Sequence, residues 1–255
     1  MDTLNIYGKN LALNKDSFSY LIYKSISLIT GDAPDYDGTD IVIENIIMNA
    51  KEIGLTEGYG YFIGLDVDLK GNNVVFRNCG IYNGRINGRH CGGFVGTGCL
   101  NGSLVFQNCF VIGENNTSVP VAGFIGKGSQ LTKITFLNCY SCIVGRGRTG
   151  GFIESGSMSQ STIVHVENCV SMVWNGYVQN YIGGISYSGL PSNTTIVNTA
   201  TIYGNDMAYS GTTNPVNGDI EISGVNVYDN QTGIFDKSIF QNYIESSLNK
   251  STYTI

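Results

Sequence analysis

The chain has 255 residues, of which 42% are hydrophobic, so it can bury the core of one large all-β domain or of two small ones. Only 13% of its residues are charged, about half of the usual share, and its net charge of -6 argues against nucleic-acid partners, which need a basic surface. No apolar run reaches the roughly 18 residues of a membrane-spanning helix, and the first residues lack a signal-peptide pattern, so we expect cytoplasmic synthesis and no membrane insertion.

Glycine, proline and cysteine usage narrows the fold class. The 34 glycines and only 4 prolines favour many tight turns between strands. The seven cysteines are an odd number without the spacing of a disulfide framework, so we expect reduced thiols. Only one CxxC pair occurs, Cys139 and Cys142, and it has neither a second pair nor a companion histidine, so we predict no metal site, and no pattern in the chain predicts a cofactor.

Residues 1–40 precede any clear repeat, and we expect them to form an irregular coil and an N-terminal cap. Four aspartates crowd the end of this segment: Asp32, Asp35, Asp37 and Asp40. Close carboxylates in a glycine-containing loop can hold Ca²⁺, although the segment does not match an EF-hand loop. A solvated acidic turn explains the same residues, and both interpretations stay open.

A repeat of thirty residues follows. Segments of similar sequence, such as VVFRN, LVFQN and ITFLN, end at equal intervals in an Asn-Cys pair, and an Asn-Thr pair takes the fifth place. The pairs are Asn78-Cys79, Asn108-Cys109, Asn138-Cys139, Asn168-Cys169 and Asn198-Thr199. IVIEN at 41–45 matches the start of an earlier copy.

A second row of matching segments runs between the Asn-Cys pairs. It reads GYFIG, GGFVG, AGFIG, GGFIE and GGIS, with intervals of 32, 30, 28 and 33 residues between the aligned apolar positions. Those positions are Phe62, Phe94, Phe124, Phe152 and Ile185. Because insertions concentrate in loops, the unequal intervals place loops between the two rows.

Alternation within the segments before each Asn predicts strands with one buried face. In VVFRN, Val74, Phe76 and Asn78 share a mostly apolar face, opposite Val75 and Arg77. We therefore predict an internal stack of Phe76, Phe106 and Phe136. We also predict an inward, hydrogen-bonded asparagine ladder at a bend. Its members are Asn78, Asn108, Asn138, Asn168 and Asn198. The cysteines that follow it are predicted to be small buried apolar residues.

These rows predict an all-β fold, a parallel β-helix (β-solenoid) of about six to seven coils over residues 41–228. An array of independent hairpin units is the alternative. It is less favoured because thirty residues are too few to bury a core alone.

The two rows resemble the GLUG-type repeat, in which a GG-[LF]-[VI]-G segment precedes a strand and an N-C-Y-like turn. GGFVG with FQNC and AGFIG with FLNCY match this pattern, GGFIE departs from it at the last glycine, and GGIS with IVNT lacks both Phe and Cys. The resemblance implies a solenoid and a surface or adhesin-like role. It implies no catalytic residue.

Catalytic candidates are few. The two histidines, His90 in a turn and His165 on an outward strand position, suggest no nucleophilic triad. Asp66 and Asp68 beside Lys70 form the one local carboxylate pair that could serve glycoside hydrolysis, although plain solvation is the favoured explanation of an exposed pair on a strand. We therefore predict that the chain is not an enzyme.

Two arginine-rich loops follow the first and third Asn-Cys pairs. They carry Arg85, Arg89, Arg146 and Arg148. Because the loops leave the same corner two coils apart, they predict a basic patch for carboxylate or sulfate groups, about 10 Å between its members. Separately solvated loops are the alternative.

The C-terminal segment 229–255 is predicted to contain an amphipathic helix that begins after Asp236. Its apolar residues are Phe235, Ile239, Phe240, Tyr243, Ile244 and Leu248. This segment would either cap the last coil or dock on another subunit.

Together, these patterns favour a structural subunit of a microbial or viral surface fibre, coat or appendage, located at a virion or cell surface and forming homo-oligomers. Two alternatives stay open. The first is a glycan-binding module, which the 16 tyrosines favour, and the second is a carbohydrate-active β-helix enzyme.

Overall fold

The computed structural model describes the chain in residues 6–13, 32–33, 35–38, 40–50, 54–145, 147–154, 158–175, 182–186, 189–197, 199–203, 219–222, 228–229 and 234–235. Every regular element in these residues is a β-strand. The strands are β1 (Ile6–Leu13), β2 (Ile41–Asn49), β3 (Asn73–Arg77), β4 (Gly80–Arg85), β5 (Cys91–Gly92), β6 (Ser103–Gln107), β7 (Phe110–Asn115), β8 (Val121–Ala122), β9 (Lys133–Leu137), β10 (Tyr140–Gly145), β11 (Thr149–Gly150), β12 (Ile163–Glu167), β13 (Val170–Asn175), β14 (Ile182–Gly183), β15 (Thr194–Val197), β16 (Thr199–Tyr203), β17 (Asp219–Ile222), β18 (Tyr228–Asp229) and β19 (Ile234–Phe235).

The strands stack in parallel along three sides of a β-solenoid, which confirms the predicted all-β solenoid class. Side A holds the strands before each Asn, in the order β15-β12-β9-β6-β3-β2. Side B holds the strands after each Cys, in the order β2-β4-β7-β10-β13-β16-β17, and β2 belongs to both sides. Side C is the short ladder β14-β11-β8-β5, so the described residues complete about four full turns.

Loop lengths account for the unequal intervals of the second row. Between sides B and C, the second and third coils use five connecting residues each, whereas the fourth coil uses only the three residues 146–148. This difference produces the 28-residue interval. The 32-residue interval comes from two extra residues between Asp68 and Asn73, since Asp68 pairs with Leu100 and Asn73 with Ser103.

Two phenylalanine columns fill the core. The side A column stacks at 5.0 Å per coil, and the side C column stacks at 4.7–5.1 Å. Rings of the two columns meet edge to face at 5.0–5.4 Å, so each inner ring of a column contacts rings above, below and opposite. The columns contain Phe76, Phe106 and Phe136 on side A, and Phe62, Phe94, Phe124 and Phe152 on side C, all fully buried.

The second glycine of the GG pair on side C allows side B to pack closely. A Cβ atom at Gly123 would lie 2.3 Å from the Ser141 hydroxyl oxygen and 2.2 Å from the Gly151 carbonyl oxygen. A Cβ atom at Gly93 would similarly lie 2.1 Å from the Gly123 carbonyl oxygen. These positions therefore exclude any side chain unless the backbone shifts.

The prediction that the asparagine side chains point inward is wrong. Asn78 is exposed, and Asn108, Asn138 and Asn168 are half-exposed. All four adopt the left-handed conformation, with φ of 51° to 55°, which asparagine tolerates better than most residues. This single residue ends the strand alternation, so Asn turns outward and the following Cys turns inward. Asn198 lies outside the described residues.

The two flat sides differ in how their outer surfaces are covered. On side B, Phe110, Tyr140 and Met172 are buried although they alternate with core-facing residues. On side A the outward Val75 and Thr135 are buried, whereas Lys133 is exposed and Ile163 is 50% exposed. Side A therefore offers the open flank of the solenoid.

Strands are described near both ends of the chain, in or beside the segments that are predicted to form caps. β1 pairs in parallel with β2, with a register shift between Tyr7 and Leu11, and so extends the ladder below residue 41. Beyond β17, the structure describes the short antiparallel pair β18–β19. The predicted helix after Asp236 lies outside the described residues.

Candidate functional site

The Asn-Cys bends form two ladders on opposite sides of the backbone. Outside, the Asn108 amide donates to the Asn78 side-chain oxygen at 3.1 Å, and the Asn138 amide donates to Asn108 at 3.2 Å. Inside, the Cys139 thiol donates to the carbonyl oxygens of Leu137 at 3.4 Å and Phe106 at 3.3 Å. The thiol thus bonds carbonyls at the bend, and both ladders have a structural role.

The ladder cysteines are buried thiols outside any disulfide bond, as is every cysteine of the chain. Burial raises the pKa of Cys109, Cys139 and Cys169 well above the ordinary value, and it raises the pKa of Cys91 and of Cys99 to about 12. A thiol must ionise to act as a nucleophile, so these five thiols are poor nucleophiles near neutral pH.

A buried acid–histidine pair lies at the edge of side C. His90 Nδ1 is 2.6 Å from Glu154 Oε1, and the two residues are 64 positions apart in the chain. The Glu154 side chain is 0% exposed and the His90 side chain is 17% exposed. A fully buried carboxylate is costly unless it is paired, and Glu154 is the one charged residue among the buried side chains that the structure describes.

Glu154 occupies a position at which the three preceding coils have glycine. Ile63, Val95, Ile125 and Ile153 pair in one register, and the residues that follow the first three of them are Gly64, Gly96 and Gly126. At Gly126, an added Cβ atom would come within 2.4 Å of the His90 carbonyl oxygen. The departure of GGFIE from the repeat pattern is therefore the residue that binds His90.

His90 is also specific to its coil. Cys91, Val121 and Thr149 pair in register on side C, so the residues immediately before them, His90, Pro120 and Arg148, form one column. His90 belongs to the second coil and Glu154 to the fourth. The two departures from the repeat thus contact each other across two coils.

The charges of two basic residues, Lys127 and Arg89, act on His90. The Lys127 backbone N–H donates to the His90 carbonyl oxygen at 3.4 Å, and Arg89 precedes His90 in the chain. Burial lowers the pKa of His90, the positive charges of Lys127 and Arg89 lower it further, and Glu57 opposes them.

The arginines of the predicted basic patch have different surroundings in the structure. Arg85 is exposed and its Nε lies 3.5 Å from Glu114 Oε1, so its charge is partly compensated. Arg89 and Arg148 are exposed and lie two coils apart, in the loops that lead into β5 and β11. Arg146 lies outside the described residues.

The aspartate pair is held in local hydrogen bonds. Asp66 has φ of 52° in a turn whose equivalent positions are Gly98 and Gly128, also with positive φ. Asp68 Oδ1 accepts the Lys70 backbone N–H at 2.8 Å, and its Oδ2 accepts the Asn101 amide at 3.2 Å. These bonds give Asp68 a role in fixing the turn.

The described residues contain neither a metal-binding cluster nor a membrane-spanning helix. Within them, no group of three or more His, Cys, Asp or Glu side chains is arranged to hold a metal ion, and this holds for the described aspartates of 32–40. The same part of the chain contains no helix that is long and apolar enough to span a membrane.

Comparison with protein-family models, with curated proteins and with solved structures found no match to this chain. The geometry of the chain therefore carries the functional argument.

Sequence reasoning missed Glu154 as a site residue. The available signal was its place in GGFIE, where a charged residue replaces a glycine of the repeat. The sequence places His90 in a turn. It does not pair His90 with Glu154, because that pairing requires the register of side C across two coils.

Proposed function

We propose that the chain is a non-enzymatic structural subunit of a microbial or viral surface fibre, coat or appendage, placed at a virion or cell surface. The observation that carries this proposal is the pair of interlocked phenylalanine columns. They run without interruption from Phe62 to Phe152 and make each coil a packing template for the next. A solenoid packed in this way suits a rigid rod more than a ligand-enclosing domain.

The proposal includes a longer solenoid of six to seven coils with GLUG-like repeats and a C-terminal helix in 229–255. Six stacked strands on side A and seven on side B support this coil number. The buried outer surface of side B, at Phe110 and Tyr140, supports a covering segment on that side. The amphipathic pattern after Asp236 makes the C-terminal segment the strongest candidate for that cover.

Self-association completes the proposal, and side A is the flank that favours it. Its outer surface carries the half-exposed Ile163, together with the half-buried Val105 and Leu137. The ion pair between Arg77 and Glu44, at 2.8 Å, partly neutralises the charge at the lower end of this side. A flat, weakly charged surface of this kind favours symmetric packing of copies.

The test is the oligomeric state of the full chain. Multi-angle light scattering should give an assembly, and Ile163→Lys should shift it toward the monomer, whereas Lys133→Gln on the same side should not. A monomeric full-length protein at high concentration would contradict the proposal. A shortened chain that ends at Tyr228 locates the interface, because an assembly that survives the truncation uses the solenoid flank.

Glycan binding is a second candidate function. The tyrosines give it little support. Among the tyrosines whose side chains the structure describes, Tyr36 is the exposed one, and Tyr61 and Tyr140 are buried. The cationic surroundings of His90 favour it instead. A carbohydrate-active enzyme remains a weaker alternative, because the Asp68 carboxylate is held in two local hydrogen bonds.

A further inference from the structure

We infer that His90, Lys127 and Arg148 form a binding site for an acidic saccharide, in which Glu154 positions the His90 ring. This inference rests on the second candidate function, glycan binding, and is independent of self-association. It names the site and the class of ligand.

The fold does not require the His90–Glu154 pair. Other coils make the same backbone connections with glycine at the position of Glu154: the Gly126 N–H donates to the Val95 carbonyl at 2.9 Å, as the Glu154 N–H donates to Ile125 at 2.8 Å. The third coil has Pro120 at the position of His90. A buried carboxylate that the repeat dispenses with elsewhere indicates a local role.

Besides Nδ1, the His90 ring has a second polar atom, Nε2. A carboxylate accepts hydrogen bonds, so Nδ1 of His90 is the donor in its contact with an ionised Glu154, and in the neutral ring Nε2 is then an acceptor. An acceptor of this kind selects a hydroxyl group. Contact with a buried carboxylate fixes the ring, as a second partner fixes histidines in other binding sites.

The charges that act on the His90 ring are mainly positive. The Lys127 backbone N–H donates to the His90 carbonyl oxygen, and the Lys127 charge acts on the His90 ring. Arg148 is exposed in the same column, about 10 Å away at two strand spacings. Arg89 adds a further exposed cation, while Glu57 is the exposed carboxylate nearby. Cations beside a neutral acceptor fit a ligand that carries both carboxylate and hydroxyl groups, which is the composition of a sugar acid.

The test is isothermal titration calorimetry of the full chain with trigalacturonate, and with its methyl ester as the uncharged counterpart. We expect binding of the acid and at least about tenfold weaker binding of the ester, a difference of about 1.4 kcal/mol. Lys127→Gln and His90→Gln should each weaken binding of the acid about tenfold, and Lys127→Arg should restore most of it. Lys133→Gln, on the outer surface of side A, is the matched control and should leave binding unchanged.

The outcomes separate the site from the function. Equal binding of acid and ester, or binding that both variants leave unchanged, would refute the site but keep glycan binding. No binding of either ligand at millimolar concentration would refute both. Because His90→Gln touches a buried partner, circular dichroism checks its fold, and the half-buried Lys127 gives a variant that leaves the buried pair in place.

Discussion

The rings of Phe106 and Phe136 stack at a centroid distance of 5.0 Å and within 10° of parallel. Their strands β6 and β9 pair in an unbroken thirty-residue register, so the rings meet because their coils have the same length on side A. Phe124 fits edge-on against both of them, at 5.3 Å. The core therefore depends on equal spacing as much as on apolar composition.

Replacing Phe106 with Ala should lower the free energy of unfolding by about 3–5 kcal/mol, because it removes a fully buried ring from the middle of a column. Urea denaturation measures the change. Val105→Ala, at a half-buried outward position of the same strand, is the control and should cost less than about 1.5 kcal/mol. Equal losses in the two variants would contradict the central role of the columns.

Asn138→Leu should destabilise the chain more than Asn138→Gly. Leucine must adopt a φ near 55°, which costs about 1–2 kcal/mol, whereas glycine adopts it freely. Both variants lose the side-chain bond to Asn108, so their difference isolates the backbone conformation. Thermal unfolding of the two proteins measures it, and a leucine variant as stable as the glycine variant would be the contrary result.

All seven thiols should be titratable with a thiol reagent after denaturation without reductant, and the native protein should react slowly. The physical reason is burial, which keeps the reagent out and raises the pKa of the Cys109, Cys139 and Cys169 thiols. Adjacent cysteines of a parallel ladder rarely reach the torsion of a disulfide bond. Fewer than seven thiols in the denatured protein would indicate disulfides or oxidised cysteines.

Stability should fall as the pH rises from about 9 to about 12. The pKa of Cys99 is about 12 in the folded chain, above the ordinary value of 9.0, so in this range the unfolded thiol ionises while the folded thiol stays protonated. Each such group makes unfolding more favourable by about 1.4 kcal/mol per pH unit. Urea denaturation across this pH range should show a shallower decline for Cys99→Ala than for the wild type, and equal slopes would contradict the assignment.

A double-mutant cycle should show that His90 and Glu154 are energetically coupled. We compare His90→Gln, Glu154→Gly and the double variant by urea denaturation, and expect a coupling energy of about 1–3 kcal/mol, since each single change disrupts one charge-assisted contact. Additive effects would mean that the 2.6 Å contact contributes nothing to stability. His165→Gln, whose partner Glu167 lies on an open surface at 3.0 Å, is the control and should change stability little.

The sequence predicted the strands and the phenylalanine columns well, because a thirty-residue period combined with alternation determines which residues stack. It predicted the wrong direction for the Asn138 side chain, because alternation assumes extended backbone and one left-handed residue reverses it. It could not pair His90 with Glu154. That contact depends on the register of side C and on a fourth coil whose connecting loop is two residues shorter than its neighbours.

The contact between the second and fourth coils limits how this chain can evolve by duplication. Copying or deleting one whole thirty-residue unit above Glu154 leaves the paired strands and ring columns below it in register, so the rod can change length there at little structural cost. The same event between His90 and Glu154 would change the separation of the two residues by one strand spacing, about 4.8 Å, and break their contact. The segment 90–154 is therefore a fixed-length module within an otherwise extendable array.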